Sequence, residues 1–172
     1  GVGVIRLVEA NAALIARRAG RPIEITVVSA RDRSRSRGVD LSPYAWEDDM
    51  VILGERADVD VVVEMVGGSD GPALALARTT FEAGKALVTA NKAMIAHHGL
   101  ELAEKAEAAR VALKFEAAVA GGIPVIKAIR EGASANEIAR VYGILNGTCN
   151  YILTLMERGG ASVSRAFARG PR

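Results

Sequence analysis

Residues 59–66 read Val-Asp-Val-Val-Val-Glu-Met-Val, an apolar run of strand length interrupted only by Asp60 and Glu64. A strand with one wet face alternates apolar and polar residues, whereas a continuous run suits a parallel sheet covered on both faces. Parallel neighbours are joined by crossovers, usually helices, so this segment predicts alternating helices and strands around it. Val4, Leu7, Val8, Ala12 and Ile15 form the stripe of one amphipathic helix ending at Arg17, Arg18 and Gly20, with basic residues in its last turn and glycine beyond. Residues 23–28 are a β-branched run of strand length. Further strands are expected at 86–89 and 111–116, with a long helix from Asn91 and Lys92 to about Ala109 between them.

Gly67, Gly68, Ser69, Asp70, Gly71 and Pro72 separate the apolar run from the next helix, with Asp70 as N-cap and Pro72 in the first turn. The rhythm predicts an α/β fold, a Rossmann-like doubly wound parallel sheet over residues 1–118. The organisation changes near Ala120, where Gly121, Gly122, Ile123 and Pro124 start a helix reaching about Glu131. A strand is expected at 138–145, then a tight turn at Asn146, Gly147 and Thr148 into a helix over 149–157. Residues 119–158 therefore read as the beginning of a second, α+β domain. The tail, 159–172, is small and basic without apolar period, and is expected to be irregular.

Charge and cysteine content exclude several functions. With 22 basic and 20 acidic residues the net charge is +2, which gives no case for a nucleic-acid partner. The single Cys149 excludes an internal disulfide and is too little for a zinc site. Without a signal-peptide pattern or an apolar run near the ~18 residues of a membrane span, a soluble cytoplasmic protein with no membrane partner is expected.

The candidate site residues sit where such sheets bind ligands, outside the carboxyl ends of the strands. Gly1 and Gly3 before the first helix suggest a dinucleotide fingerprint, a weak signal alone; the alternative is close helix–strand packing. Arg31 and Arg33 directly follow Val28, Ser29 and Ala30, where an acidic residue would bind a ribose 2′-hydroxyl and arginines a 2′-phosphate. NADP is therefore favoured; Asp32 between them keeps NAD open, and a merely solvated loop is the alternative. Gly67 and Gly68 end one strand, and Thr89, Ala90, Asn91 and Lys92 end the next. A cation at a helix start is mildly unfavourable, so Lys92 is expected to serve cofactor phosphate or ribose, or a substrate oxygen. His97 and His98 point about 100° apart on a helix and are expected at its surface rather than on a metal. Cys149 is expected to be a buried small residue, not a nucleophile.

Several segments taken together resemble homoserine dehydrogenase. They are EAAVAGGIPVIKAIREG at 116–132, YGILNGTCNYIL at 142–153, TANKA at 89–93, RLVEANAALIARRAGRPIEI at 6–25 and the glycine pair. The likeness runs from residue 1 to about Glu157 and is absent from Ser162 onward. It implies an enzyme interconverting L-homoserine and L-aspartate 4-semialdehyde with NADPH or NADH, toward threonine, methionine and isoleucine. Gly1 then resembles the third glycine of the family's glycine loop, with the first strand and two glycines expected ahead of it. Gly1, Val66, Gly67, Thr89, Asn91 and Lys92 line the cofactor cleft by the same likeness, with Lys92 in a supporting catalytic role. It further implies a monovalent cation, sodium or potassium, held largely by main-chain carbonyls at Glu116, Val119, Gly121 and Ile123. The family's catalytic lysine and acidic substrate-binding residues are expected in a segment following this one, and the parent enzyme as a homo-oligomer acting on a small molecule. The chain alone is then expected to be a poorly stable fragment with weak cofactor binding and no meaningful turnover. Three rivals stand against this. Aspartate-semialdehyde dehydrogenase needs a nucleophilic cysteine in an acyl-transfer context, which Cys149 lacks; a non-catalytic dinucleotide-binding module and a gene fragment with no independent role are the others.

Overall fold

The computed structural model describes residues 1–143, 147–159 and 162. Its described strands are all parallel: β1 (Val27–Val28), β2 (Ala45–Trp46), β3 (Val61–Glu64), β4 (Ala86–Thr89) and β5 (Leu113–Lys114). Helices α3 (Pro72–Glu82) and α4 (Lys92–Ala109) join β3 to β4 and β4 to β5, giving the α/β architecture that the apolar run demands. β1 and β2 form one sheet; β3, β4 and β5 form another in that order. In a doubly wound sheet of order 3-2-1-4-5-6, these two pieces fall on either side of the first position. β1 is bonded only to β2, and β3 is bonded on one side only, to β4, so the edges facing that position are unpaired among the described residues.

Successive right-handed crossovers put α3 and α4 on one face of β3, β4 and β5, and the core lies between. Val62, Leu87 and Leu113 from the strands pack there with Leu76 and Phe81 of α3 and Met94 and Leu102 of α4. The other face is open: Val61 and Val63 are 49% and 48% exposed, and Val88 is exposed too. The run is apolar towards both faces, as expected, but only one is covered among the described residues, because both crossover helices occupy the same side.

The first helix differs from expectation. Its stripe is split into α1 (Val2–Ala10) and α2 (Ala12–Ala19). Asn11 is the break: its Nδ2 donates to the Leu7 carbonyl at 2.9 Å, a side-chain competition that disfavours helix continuation. Of the β-branched run 23–28 only Val27 and Val28 are paired, because their partner β2 is itself two residues long. Of 111–116 only Leu113 and Lys114 are paired. The predicted cap at Asp70 also moves. Gly71 holds the N-cap position of α3 without a side-chain bond, and Asp70 turns to Ser69 and His98 instead.

A 3-10 turn, Met50–Gly54, packs on α3 through Gly54. A Cβ there would meet Thr80 N at 2.9 Å and the Thr79 carbonyl carbon at 3.1 Å. These are backbone atoms that cannot swing aside, so Gly54→Ala forces the turn off the helix. We expect it to lower stability by about 1–3 kcal/mol, read as a lower denaturant midpoint; an unchanged midpoint would show that the contact yields freely.

A second compact unit begins at Val119. Pro124 starts the short α5 (Val125–Lys127), which runs into a π turn over Ala128–Gly132, and α6 covers Gly147–Gly159. The strand expected at 138–145 is not formed over 138–143, for want of any neighbouring strand among this unit's described residues; 144 and 145 lie outside the described residues. The helix expected over 149–157 is two residues longer at each end, so Gly147 and Thr148 are helical rather than a turn, and Asn146 lies outside the described residues. Cys149 is exposed, not buried, as are Gly147 and Asn150 in the same turn of the helix. Of the tail, 160–161 and 163–172 lie outside the described residues. Among the described residues no helix is long and apolar enough to cross a membrane.

Candidate functional site

Burying an acidic side chain inside an apolar run demands partners, and Glu64, 1% exposed at the carboxyl end of β3, has them. Its Oε1 accepts from the backbone N–H of Val66 at 2.6 Å and of Gly67 at 3.2 Å. Its Oε2 accepts from the Thr89 hydroxyl at the end of β4. Thr89 Oγ1 in turn accepts from Asn91 N at 3.0 Å. The Asn91 amide donates to the Gly68 carbonyl at 2.8 Å, and its Oδ1 caps α4 by accepting from Met94 N at 3.1 Å. One continuous hydrogen-bonded set therefore ties both strand ends, the glycine loop and the start of α4. No buried side-chain polar atom among the described residues lacks a partner.

Within this frame the glycine loop is the open part. Gly67 and Gly68 have φ of 89° and 91°, a region that side-chain-bearing residues avoid, and a Cβ on Gly67 would meet nothing within 4 Å. Its backbone is thus approachable by a ligand. The amino group of Gly1 donates to Met65 Sδ at 3.4 Å, which places the start of α1 at the same edge. A Cβ on Gly1 or Gly3 also meets nothing within 4 Å among the described residues. Lys92, the first residue of α4, is exposed and has no ion-pair partner among the described residues. Gly1, Val66, Gly67, Thr89, Asn91 and Lys92 are all brought to this edge. What they assemble is an approachable backbone, a helix start and a cation, which together suit an anionic ligand with ribose hydroxyls.

Arg31 and Arg33 lie in the loop that follows the carboxyl end of β1. Asp32 Oδ1 accepts from Ser34 N at 2.9 Å and Ser34 Oγ at 2.7 Å, and these bonds hold its carboxyl below the ordinary range. Arg37 donates to the carbonyl of Arg35 at 2.6 Å and to that of Asp32. The guanidinium carbons of Arg33 and Arg37 each lie 5.7 Å from the centroid of the Trp46 ring. Arg31 is exposed and has no hydrogen-bond or ion-pair partner among the described residues.

The histidines behave differently from one another. His97 is exposed, while His98 Nε2 lies 2.9 Å from Asp70 Oδ1 and its Nδ1 3.7 Å from Glu101. Glu101 is held in turn by a two-point contact with Arg78 at 2.8 Å, which keeps its carboxyl below the ordinary range. No group of three metal-ligating side chains occurs among the described residues. Glu116 opens a 3-10 turn in the first unit, and Val119, Gly121 and Ile123 belong to the second. There Ala120 takes a left-handed φ of 51°. A hollow of about 180 Å³ between the carboxyl ends of α3 and α4, lined by Phe81, Glu82, Lys105, Ala108 and Ala109, lies at the opposite edge from the carboxyl ends of the strands.

Comparison with known proteins places these features in a family. A model described as "Homoserine dehydrogenase, NAD binding domain" matches residues 1–116, and one described as "Homoserine dehydrogenase" matches 124–170. The second match runs past Ser162 to residue 170, so the likeness expected to end there continues through most of the tail. The homoserine dehydrogenase of Corynebacterium glutamicum is 43% identical over 173 residues, covering 100% of this chain and 38% of that protein. That of Pseudomonas aeruginosa is 48% identical over 168 residues, covering 98% and 38%. The crystal structure of a homoserine dehydrogenase from Thiobacillus denitrificans superposes with a TM-score of 0.81 at 38% identity, over 97% of this chain and 38% of that one. The chain thus spans about 38% of the length of these relatives.

Proposed function

The chain belongs to the homoserine dehydrogenase family, and on that premise we propose that it forms the cofactor-binding part of an NADP-dependent oxidoreductase. The complete enzyme interconverts L-homoserine and L-aspartate 4-semialdehyde, a cytoplasmic step toward threonine, methionine and isoleucine. The observation that carries the NADP assignment is the loop after β1. Arg31 and Arg33 offer charged donors there, while Ser34 engages one oxygen of the only carboxylate between them. That oxygen is drawn away from a ribose 2′-hydroxyl, and the arginines suit a 2′-phosphate.

Gly1, Val66 and Gly67 present backbone to the cofactor, and Thr89 and Asn91 hold that backbone in place. The nicotinamide group, when bound, supplies hydride to the aldehyde carbon. Lys92 stabilises the negative charge that develops on the substrate oxygen. The carbonyls of Val119, Gly121 and Ile123, on a backbone turned at Ala120, suit sodium or potassium, which take oxygen ligands of this kind. The complete enzyme is expected to be a homo-oligomer, and these 172 residues alone to turn over negligibly.

Titrating NADPH and NADH into the chain by fluorescence tests the assignment. NADPH should bind more tightly, and the double change Arg31→Ala with Arg33→Ala should weaken NADPH at least about tenfold while moving NADH about twofold or less. Equal affinity for both nucleotides would overturn the NADP assignment. Binding without turnover in the complete protein would favour a non-catalytic dinucleotide-binding module.

A further inference from the structure

Trp46 is the chain's one tryptophan, and it is half-buried beside the arginine loop rather than in the core. β2 holds it opposite Val28, the last residue of β1, directly before the loop begins. Its indole N–H donates to Asp48 Oδ1 at 2.7 Å, which fixes the ring's orientation from outside. Arg33 and Arg37 then both place their guanidinium carbons 5.7 Å from the ring centroid. Bringing two guanidinium groups to one indole offsets part of their mutual repulsion, because the ring face attracts cations.

The two arginines are held in unequal ways. Arg37 also donates to the Arg35 and Asp32 carbonyls, so it braces the loop. Arg33 makes no hydrogen bond among the described residues. A guanidinium lying on an aromatic ring uses its face and leaves its donors free for a planar or tetrahedral anion. A side chain ordered in advance also loses less freedom when a ligand arrives.

We infer that Trp46 is a positioning residue for cofactor selectivity, an aromatic platform that presents Arg33 to the cofactor's 2′-phosphate while Arg37 locks the loop. This rests on the reading of the loop as the adenosine end of an NADP site. Two half-cofactors separate the two ideas: 2′,5′-ADP carries the 2′-phosphate and 5′-AMP does not. Calorimetric titration of both into the chain should give tighter binding of 2′,5′-ADP. Trp46→Leu should weaken 2′,5′-ADP on the order of tenfold and 5′-AMP about twofold or less. Trp46→Phe, which keeps a ring face, should restore most of the loss. In the parent chain, 2′,5′-ADP should shift the emission of this lone tryptophan and 5′-AMP should not.

If 2′,5′-ADP binds no better than 5′-AMP, or neither binds, the loop does not read a 2′-phosphate and the inference falls with that reading. If 2′,5′-ADP is preferred but Trp46→Leu leaves the ratio unchanged, the loop reads the phosphate and the platform role is wrong. An equal loss for both ligands would mark Trp46 as merely structural, and would also overturn the inference.

Discussion

Replacing Glu64 by alanine is expected to lower folding stability by about 2–4 kcal/mol and to disorder the glycine loop at the cleft. The carboxylate is 1% exposed and accepts from Val66 N, Gly67 N and the Thr89 hydroxyl. Its removal strands three donors at a strand junction where a buried, unsatisfied group costs roughly 1–3 kcal/mol. The sum falls short of three full penalties because Val66 and Gly67 are themselves exposed, so water can reach their N–H groups in the variant. Glu64→Gln separates acceptor geometry from charge. A glutamine can still accept from the two loop N–H groups, and its amide can donate to Thr89 Oγ1, which has a second lone pair beside the one taken by Asn91 N. It should therefore cost about 1 kcal/mol. Denaturant midpoints of the three proteins measured together decide the matter. If alanine costs under about 1 kcal/mol, the network does not hold the loop; if glutamine is as harmful as alanine, charge rather than acceptor placement is what the loop needs.

What was legible in the sequence and what was not divide along a physical line. β4 and α4 emerge at the expected residues because local signals specify them: a short apolar run and an asparagine at the N-cap whose Oδ1 accepts from Met94 N. The positions of Gly67, Thr89, Asn91 and Lys92 follow, since they are the residues next to strand ends. Strand length was not legible. Residues 23–28 have strand propensity throughout, but hydrogen bonding requires a partner, and β2 lies in a stretch without periodicity and offers only two residues. The break at Asn11 is not legible because the apolar stripe continues across it, while one side-chain bond to Leu7 decides the backbone.

Glu64 and Trp46 show the same limit within the candidate site. Each has partners that only the pairing of strands brings to it: Thr89 for Glu64, and the arginines across the β1–β2 pair for Trp46. In the sequence Glu64 is only an interruption of an apolar run, and Trp46 only the end of an irregular stretch. The usable signal was the interruption itself, since an acid inside a continuous apolar strand is either misplaced or buried with donors. The open face of Val61, Val63 and Val88 has a similar origin. Composition shows that a face is apolar, but not what covers it.

Lys92→Ala in the complete enzyme is expected to lower kcat/KM for aspartate semialdehyde about 100-fold while leaving the folded state as stable as before or slightly more stable. The two halves of this expectation come from separate physics. As the first residue of α4, Lys92 sets a positive charge against the positive end of the helix dipole, a placement that costs roughly 0.3–1 kcal/mol. It is exposed and has no ion-pair partner among the described residues, so no described ion pair offsets that cost, and alanine is the better helix former. A residue that weakens its own helix without a structural return is expected at a working site. There, next to Thr89 and Asn91 at the strand edge, a cation that faces the developing alkoxide, as proposed for Lys92, would contribute on the order of 100-fold in rate. Steady-state kinetics and a thermal melt of the same preparation test both halves. A loss confined to the cofactor KM would move Lys92 from the reacting oxygen to the cofactor phosphates or ribose. Unchanged kinetics would remove it from the site, and a lower melting temperature would show that the lysine supports the fold after all.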